Sequence, residues 1–161
     1  AGGAARAVVL ALAEAGAEEV VVVNRTAAHA VAAAALAGRV GRVGGAADVG
    51  AADLVVQATP VGMAAGRPAG DAALPVDPAL LHEGQLVADL VYLPMVTPLL
   101  AAARARGAQT LGGLGMLVHQ AALAVESWTG RTAPVDAMWA AAEAKKSPAG
   151  GMRGKPPAGD T

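Results

Sequence analysis

Two kinds of apolar run alternate along this chain, one spaced for helices and one continuous enough for buried strands. After Ala1-Gly2-Gly3, the residues Val8, Val9, Leu12 and Ala15 fall near one face of a helix that Gly16 stops. Glu19–Asn24 reads Glu-Val-Val-Val-Val-Asn, a β-branched run expected to form a strand buried on both faces, as in a parallel sheet. Thr26 is placed to N-cap a helix over Ala27–Ala37, which Gly38 ends. Arg39–Val43 reads as a short strand and Asp53–Thr59 as a second buried one, followed by a long Gly/Pro/Ala loop over Pro60–Pro78. Leu86–Tyr92 is the next strand, ended by Pro94. Thr97-Pro98 then opens a helix that runs to Arg106 and stops at Gly107. A short strand over Ala108–Leu111 and helices over Leu114–Thr129 and Val135–Lys145 complete the pattern. Strand and helix alternate, so the fold class expected is α/β, a doubly wound and mostly parallel sheet with flanking helices.

Composition narrows this picture. The 161 residues include 44 alanines and no phenylalanine or isoleucine, so the core depends on close helix–sheet approach, with Val and Leu supplying the bulk. Cysteine is absent, which removes disulfides, thiolate metal sites and a cysteine nucleophile. Three histidines without paired spacing argue against a zinc site, and no metal is expected. With 12 basic and 13 acidic residues there is no electrostatic footprint for nucleic acid. The strongly apolar stretches are far shorter than the ~20 residues of a spanning helix, and the N-terminus lacks the pattern of a signal peptide. A soluble, cytoplasmic domain without a membrane partner is expected. Lys146–Thr161, rich in Pro and Gly, reads as a disordered tail.

Candidate chemistry begins at Gly2-Gly3. Glycines at the mouth of a helix let a phosphate approach the backbone and its free N–H groups. By itself such a pair is more often a turn. In a doubly wound sheet an acidic residue about 20 residues past the glycines holds the ribose 2′-OH of NAD. Here that place holds Asn24-Arg25-Thr26 and no carboxylate. A planar, permanently charged guanidinium suits a 2′-phosphate, which favours NADP; the bland alternative is a solvated strand-end charge. A dinucleotide loop also needs a strand directly before its glycines. This chain starts at the loop, so either the sheet lacks its central first strand or the glycine reading fails.

Five motifs in order resemble the shikimate dehydrogenase family. They are Ala1-Gly2-Gly3-Ala4-Ala5-Arg6, Asn24-Arg25-Thr26, Thr59-Pro60-Val61-Gly62-Met63, Asp89-Leu90-Val91-Tyr92-Leu93-Pro94 with Thr97-Pro98-Leu99-Leu100, and Gly112–Ala121, with Trp128-Thr129-Gly130 after the last. The resemblance covers Ala1 to about Pro134. It implies a Rossmann-like NADP-binding domain over residues 1–145, truncated at its N-terminus, with the tail at 146–161. It implies reversible reduction of 3-dehydroshikimate to shikimate by hydride transfer, on the route to aromatic amino acids, with shikimate or 3-dehydroshikimate as small-molecule partner and a homodimer admitted. Gly2, Gly3 and Ala4, with Ala1 beside them, would hold the pyrophosphate, and Asn24, Arg25 and Thr26 the 2′-phosphate. Thr59 would lie along the cofactor, Leu90 and Gly113 would contact its nicotinamide half with Met116 nearby, and Tyr92 and Gln120 would touch substrate.

The sequence departs from the family's pattern at two places. His29 stands where the family often has a second phosphate-clamping arginine, and a neutral imidazole weakens that clamp. The family's catalytic lysine and aspartate belong to an N-terminal domain that this chain does not contain; Lys145, Lys146 and Lys155 lie at or beyond the last helix and do not replace them. No catalytic residue is therefore expected here, and the chain is expected to be an inactive, marginally stable fragment. Two other readings stay open: a quinate/shikimate dehydrogenase that prefers NAD, and a non-catalytic nucleotide-binding paralogue. Glutamyl-tRNA reductases share a glycine loop and an Asn-Arg strand end but lack the later motifs. Asp89 is expected to be structural, His82 solvated and His119 a surface residue. Trp128 and Trp139 are expected to fill the core.

Overall fold

The computed structural model describes residues 1–63 and 74–144. It contains α1 (Gly3–Glu14), β1 (Val20–Val22), α2 (Ala27–Ala34), β2 (Gly41–Val43), β3 (Leu54–Gln57), β4 (Leu86–Asp89), α3 (Pro98–Ala105), β5 (Gln109–Gly112), α4 (Leu114–Thr129) and α5 (Val135–Ala144). Most of the Pro60–Pro78 loop and the expected tail lie outside the described residues. The chain divides into two compact units, Ala1–Met116 and the residues from Leu117 on.

In the first unit every strand pairing is parallel. β1 pairs β2, with Val20 opposite Gly41 and Val22 opposite Val43. β3, β4 and β5 form a second sheet in that order, with Leu54 opposite Leu86 and Leu86 opposite Gln109. Two strands and three strands are what a 3-2-1-4-5-6 order leaves when its central first strand is taken away. The cores divide in the same way. Val9, Val20, Val22 and four alanines of residues 30–37 form one cluster. Val55, Leu81, Val87, Leu99, Leu100, Ala103 and Ala108 form another. The alanines at 30, 33 and 34 are almost completely buried, so α2 packs against the first cluster at short range with little side chain between.

Local signals explain most element ends. Gly16 and Gly107 adopt φ of +88° and +84° after α1 and α3, where an L side chain would be strained. Thr97 caps α3 through Oγ1, which accepts from Leu100 N at 3.2 Å, and Pro98 takes the first helical position. The expected Thr26 cap is not made: Thr26 is extended but its side chain accepts no capping bond. α2 also ends at Ala34 rather than Ala37, passing into a 3₁₀ turn over Ala35–Val40. The expected doubly buried strand at 19–24 is limited to three residues. Val20 and Val22 are buried, while Val23 is 52% exposed past the end of the ladder. β4 ends at Asp89, so Tyr92 lies in the loop that follows.

Surface charge ties β1 to its neighbour. Arg42 Nε and Nη2 donate to Glu19 at 2.7 and 3.0 Å, and Nη2 also donates to Asp48 at 2.7 Å. Hydrogen bonds from Arg42 hold both carboxyls below their usual range. His82 is exposed as expected, yet both its ring nitrogens meet carbonyl oxygens, Nδ1 that of Glu83 at 2.6 Å and Nε2 that of Gly50 at 3.2 Å. Two acceptors favour the doubly protonated ring, and these backbone bonds raise its pKa, that to Glu83 most. The stabilisation is therefore complete below the unfolded value of 6.5 and fades as pH rises through the higher folded one. The melting-temperature gap between wild type and His82→Ala should accordingly be widest in acid and narrow as pH rises past the raised folded value; a gap independent of pH would contradict the assignment.

Among the described residues no helix is long and apolar enough to cross a membrane, and no group of three or more His, Cys, Asp or Glu side chains is placed to hold a metal.

Candidate functional site

Residue Gly2 is the N-cap of α1, extended at φ −84° and ψ −171°, and it has no side chain with which to cap. Arg6 N donates to Gly2 O at 3.1 Å, so the earlier N–H groups of the first turn have no intrahelical acceptor. A Cβ placed on Gly2 or Gly3 would meet nothing within 4 Å. The fold itself thus imposes no requirement for glycine here, and the bare backbone faces open space. A helix start of this kind suits an anion that must come close to the main chain.

The sequence-predicted partners of that turn are beside it. Ala1 N donates to Asn24 Oδ1 at 3.0 Å across 23 residues of sequence, and Asn24 Nδ2 donates to Thr26 O at 2.9 Å. Arg25 and Thr26 are exposed, as is His29, whose N–H donates to Thr26 O at 3.1 Å in the first turn of α2. Asn24 thus links the residue before the glycine turn to the 24–26 segment, where Arg25 and Thr26 are exposed and no carboxylate stands. A guanidinium and free helix-start N–H groups are each suited to a phosphate.

A second group of predicted residues gathers where β3, β4 and β5 end. Gln57 is buried at the end of β3, and its Nε2 donates to Val61 O at 2.9 Å and to Asp89 Oδ1 at 3.3 Å. Gln57 Oε1 accepts from Thr59 N. Thr59 is exposed, and its hydroxyl accepts from Val61 N at 3.2 Å. Asp89 Oδ1 also accepts from Val91 N at 3.0 Å, while Oδ2 accepts from Thr97 Oγ1 at 2.6 Å. Asp89 is thus structural as expected, but at the last residue of its strand. Leu90 N donates to Gln57 O at 2.9 Å, and Gly113 N to Val91 O at 3.3 Å. A Cβ on Gly113 would stand 2.2 Å from Leu90 O, so only glycine allows β5 to pass this close to the Leu90 backbone. Tyr92 is 42% exposed beyond these contacts.

Gln120 and His119 are exposed on α4, and the His119 ring lies edge-on to Trp139 with centroids 6.3 Å apart. Trp139 is half-buried, but Trp128 is 81% exposed and is not a core residue. It occupies the last turn of α4, where only Thr129 remains before the helix ends, and neither core cluster includes it.

A family model described as "Shikimate 5'-dehydrogenase C-terminal domain" matches residues 113–143. A relative from Methylobacterium radiotolerans, shikimate dehydrogenase (NADP(+)), is 50% identical over 134 residues, covering 81% of this chain and 46% of the relative. The solved shikimate 5-dehydrogenase of Thermus thermophilus, in complex with NADP(H) and shikimate, is 40% identical with a TM-score of 0.77, over 89% of this chain and 52% of that one. The quinate dehydrogenase of Corynebacterium glutamicum, in complex with NAD, is 36% identical with a TM-score of 0.77, over 87% of this chain and 51% of that one. This chain carries the C-terminal domain of the shikimate dehydrogenase family. It spans about half the length of the curated relatives it matches.

Within this shikimate dehydrogenase domain the sequence reading missed buried polar residues that tie its loops together. Gln57 lies outside the motifs and Thr97 was read only as the start of a helix, although both bond to Asp89. Gln85 was missed as well: it is 1% exposed and donates to Val49 O at 2.8 Å and Ala52 O at 3.0 Å. The available signal was a polar residue inside or beside a buried apolar strand, which must find partners to be tolerated.

Proposed function

We propose that this chain is the cofactor-binding half of an NADP-dependent shikimate dehydrogenase, which interconverts 3-dehydroshikimate and shikimate. One observation carries the reading: a bare glycine turn preceded by Ala1, whose amino group donates to Asn24 Oδ1, with Arg25 exposed next to Asn24 and no acidic residue at that strand end. Ala1, Gly2, Gly3 and Ala4 would hold the pyrophosphate with main-chain N–H groups. Asn24, Arg25 and Thr26 would hold the adenosine 2′-phosphate, and Thr59, Leu90 and Gly113 would line the nicotinamide half. When bound, NADPH supplies the hydride. Tyr92 and Gln120 would offer a hydroxyl and an amide to the substrate's hydroxyls and carboxylate without adding charge. Residues 1–145 form the binding domain in this reading and 146–161 its tail. A cytoplasmic location, a homodimer and the absence of nucleic-acid and membrane partners belong to the same reading.

Two features of the chain and its relatives support a second reading, a quinate/shikimate dehydrogenase that prefers NAD. His29 adds no permanent charge to the phosphate clamp, and a quinate dehydrogenase with NAD shares the fold. In either case, among the described residues, no lysine–aspartate pair lies at the site to move the hydroxyl proton. Purified alone and given shikimate with NADP⁺, it should form no NADPH; turnover in the ordinary range of about 1–10³ per second would contradict this division of labour.

A further inference from the structure

We propose that Gln57, Asp89 and Thr97 form a buried positioning network that sets the backbone on which the nicotinamide half of the cofactor rests. The inference depends on the dinucleotide-binding reading and adds a role for three side chains that do not face the ligand. Asp89 is an ionisable residue only 1% exposed, and each of its bonds comes from a different segment. Gln57 Nε2 reaches it from β3 at 3.3 Å, Val91 N from the loop after β4 at 3.0 Å, and Thr97 Oγ1 from the start of α3 at 2.6 Å. A carboxylate accepts only, so three donors match its lone pairs without competition.

The network extends outward from Asp89. Gln57 spends both ends of its amide on the 59–61 turn, through Thr59 N and Val61 O. The Gln57 carbonyl accepts from Leu90 N, and the Val91 carbonyl accepts from Gly113 N. Thr97 Oγ1 accepts from Leu100 N while donating to Asp89, which locks the first turn of α3 to the same point. Thr59, Leu90 and Gly113 are therefore each two hydrogen bonds from a single buried carboxylate. The glycine turn and Asn24–Thr26 take no part in it. Bonds to a charged, dry acceptor are stronger than neutral surface bonds, so they can hold three loop segments in one geometry.

This asymmetry supplies the test. The 161-residue chain and its Gln57→Met variant, of similar side-chain volume, are titrated with NADP⁺ and with adenosine 2′,5′-bisphosphate, which lacks the nicotinamide half. The variant should bind NADP⁺ about tenfold more weakly, the scale of one lost bond to a charged group, and keep its affinity for the bisphosphate within about twofold. Thr97→Val should behave likewise, with Thr97→Ser restoring binding because it keeps the hydroxyl. Unchanged NADP⁺ affinity in both variants overturns the proposal. So does loss of both ligands in both variants, since the network would then be holding the fold and not one end of the site. Failure of wild type to bind either ligand overturns instead the dinucleotide reading on which the proposal stands.

Discussion

Replacing Gly113 with alanine should destabilise the first unit by about 3 kcal/mol, the upper part of the usual range for overpacking. The added Cβ would sit 2.2 Å from Leu90 O, 2.5 Å from Leu90 C and 2.9 Å from Val91 O. All three are backbone atoms, so no rotamer change relieves the clash. Nor can the Leu90–Val91 segment yield freely: Leu90 N is bonded to Gln57 O, and Val91 N to the buried Asp89 carboxylate. The penalty is one of space, because Gly113 is not among the glycines with positive φ. Gly3→Ala is the matching control. Its Cβ would meet nothing within 4 Å and its site is the first residue of a helix, so its melting temperature should be unchanged or higher. Urea denaturation of the two variants checks both expectations. Equal midpoints for Gly113→Ala and wild type would show that β5 does not pass as close to Leu90 as described.

The Arg25→Ala variant should lose about ten- to hundredfold in NADP⁺ affinity while keeping its affinity for NAD⁺, because only the 2′-phosphate uses the guanidinium. Arg25 is exposed and takes part in neither ion pair of Arg42, so it is available to a ligand. Its removal should leave the fold intact, as an exposed charge outside any network contributes little to stability. Isothermal titration with the two cofactors reads the difference directly. An equal loss for both would place Arg25 on the shared part of the dinucleotide.

Local signals were legible in the sequence and long-range ones were not. Thr97-Pro98 announced α3 because cap and helix lie within three residues, and the Gly16 and Gly107 stops are equally local. Val23 was misjudged because a β-branched run says that a strand exists but not where its partner ends; β2 stops opposite Val22. Thr26 fits an N-cap by type, yet its side chain accepts no capping bond, and its carbonyl instead accepts from Asn24 Nδ2. Trp128 was assigned to the core by its size alone, and burial depends on neighbours that size does not specify. Thr59 and Leu90, read as parts of strands, lie just past the ends of β3 and β4, and Asn24, Arg25 and Gly113 lie just past β1 and β5. The Gln57–Asp89 bond, spanning 32 residues, could be read only from the folded chain.

The same dependence on fold explains why 161 residues, a comfortable length for a domain, form two sheets in place of one. The α1 and α2 helices cover the smaller sheet and α3 the larger, with separate apolar clusters beneath. Each cluster holds seven buried residues, and burying so little apolar surface leads to the expectation of a low melting temperature for this chain.

The central claim is that the glycine turn and Arg25 make this chain a receptor for NADP. Calorimetric titration of the unmodified 161-residue chain with NADP⁺ and, separately, with NAD⁺ tests it most directly. NADP⁺ should bind saturably and one to one, at least about tenfold tighter than NAD⁺, as one additional charge-assisted contact requires. Equal affinities, tighter binding of NAD⁺, or no binding of either would contradict it.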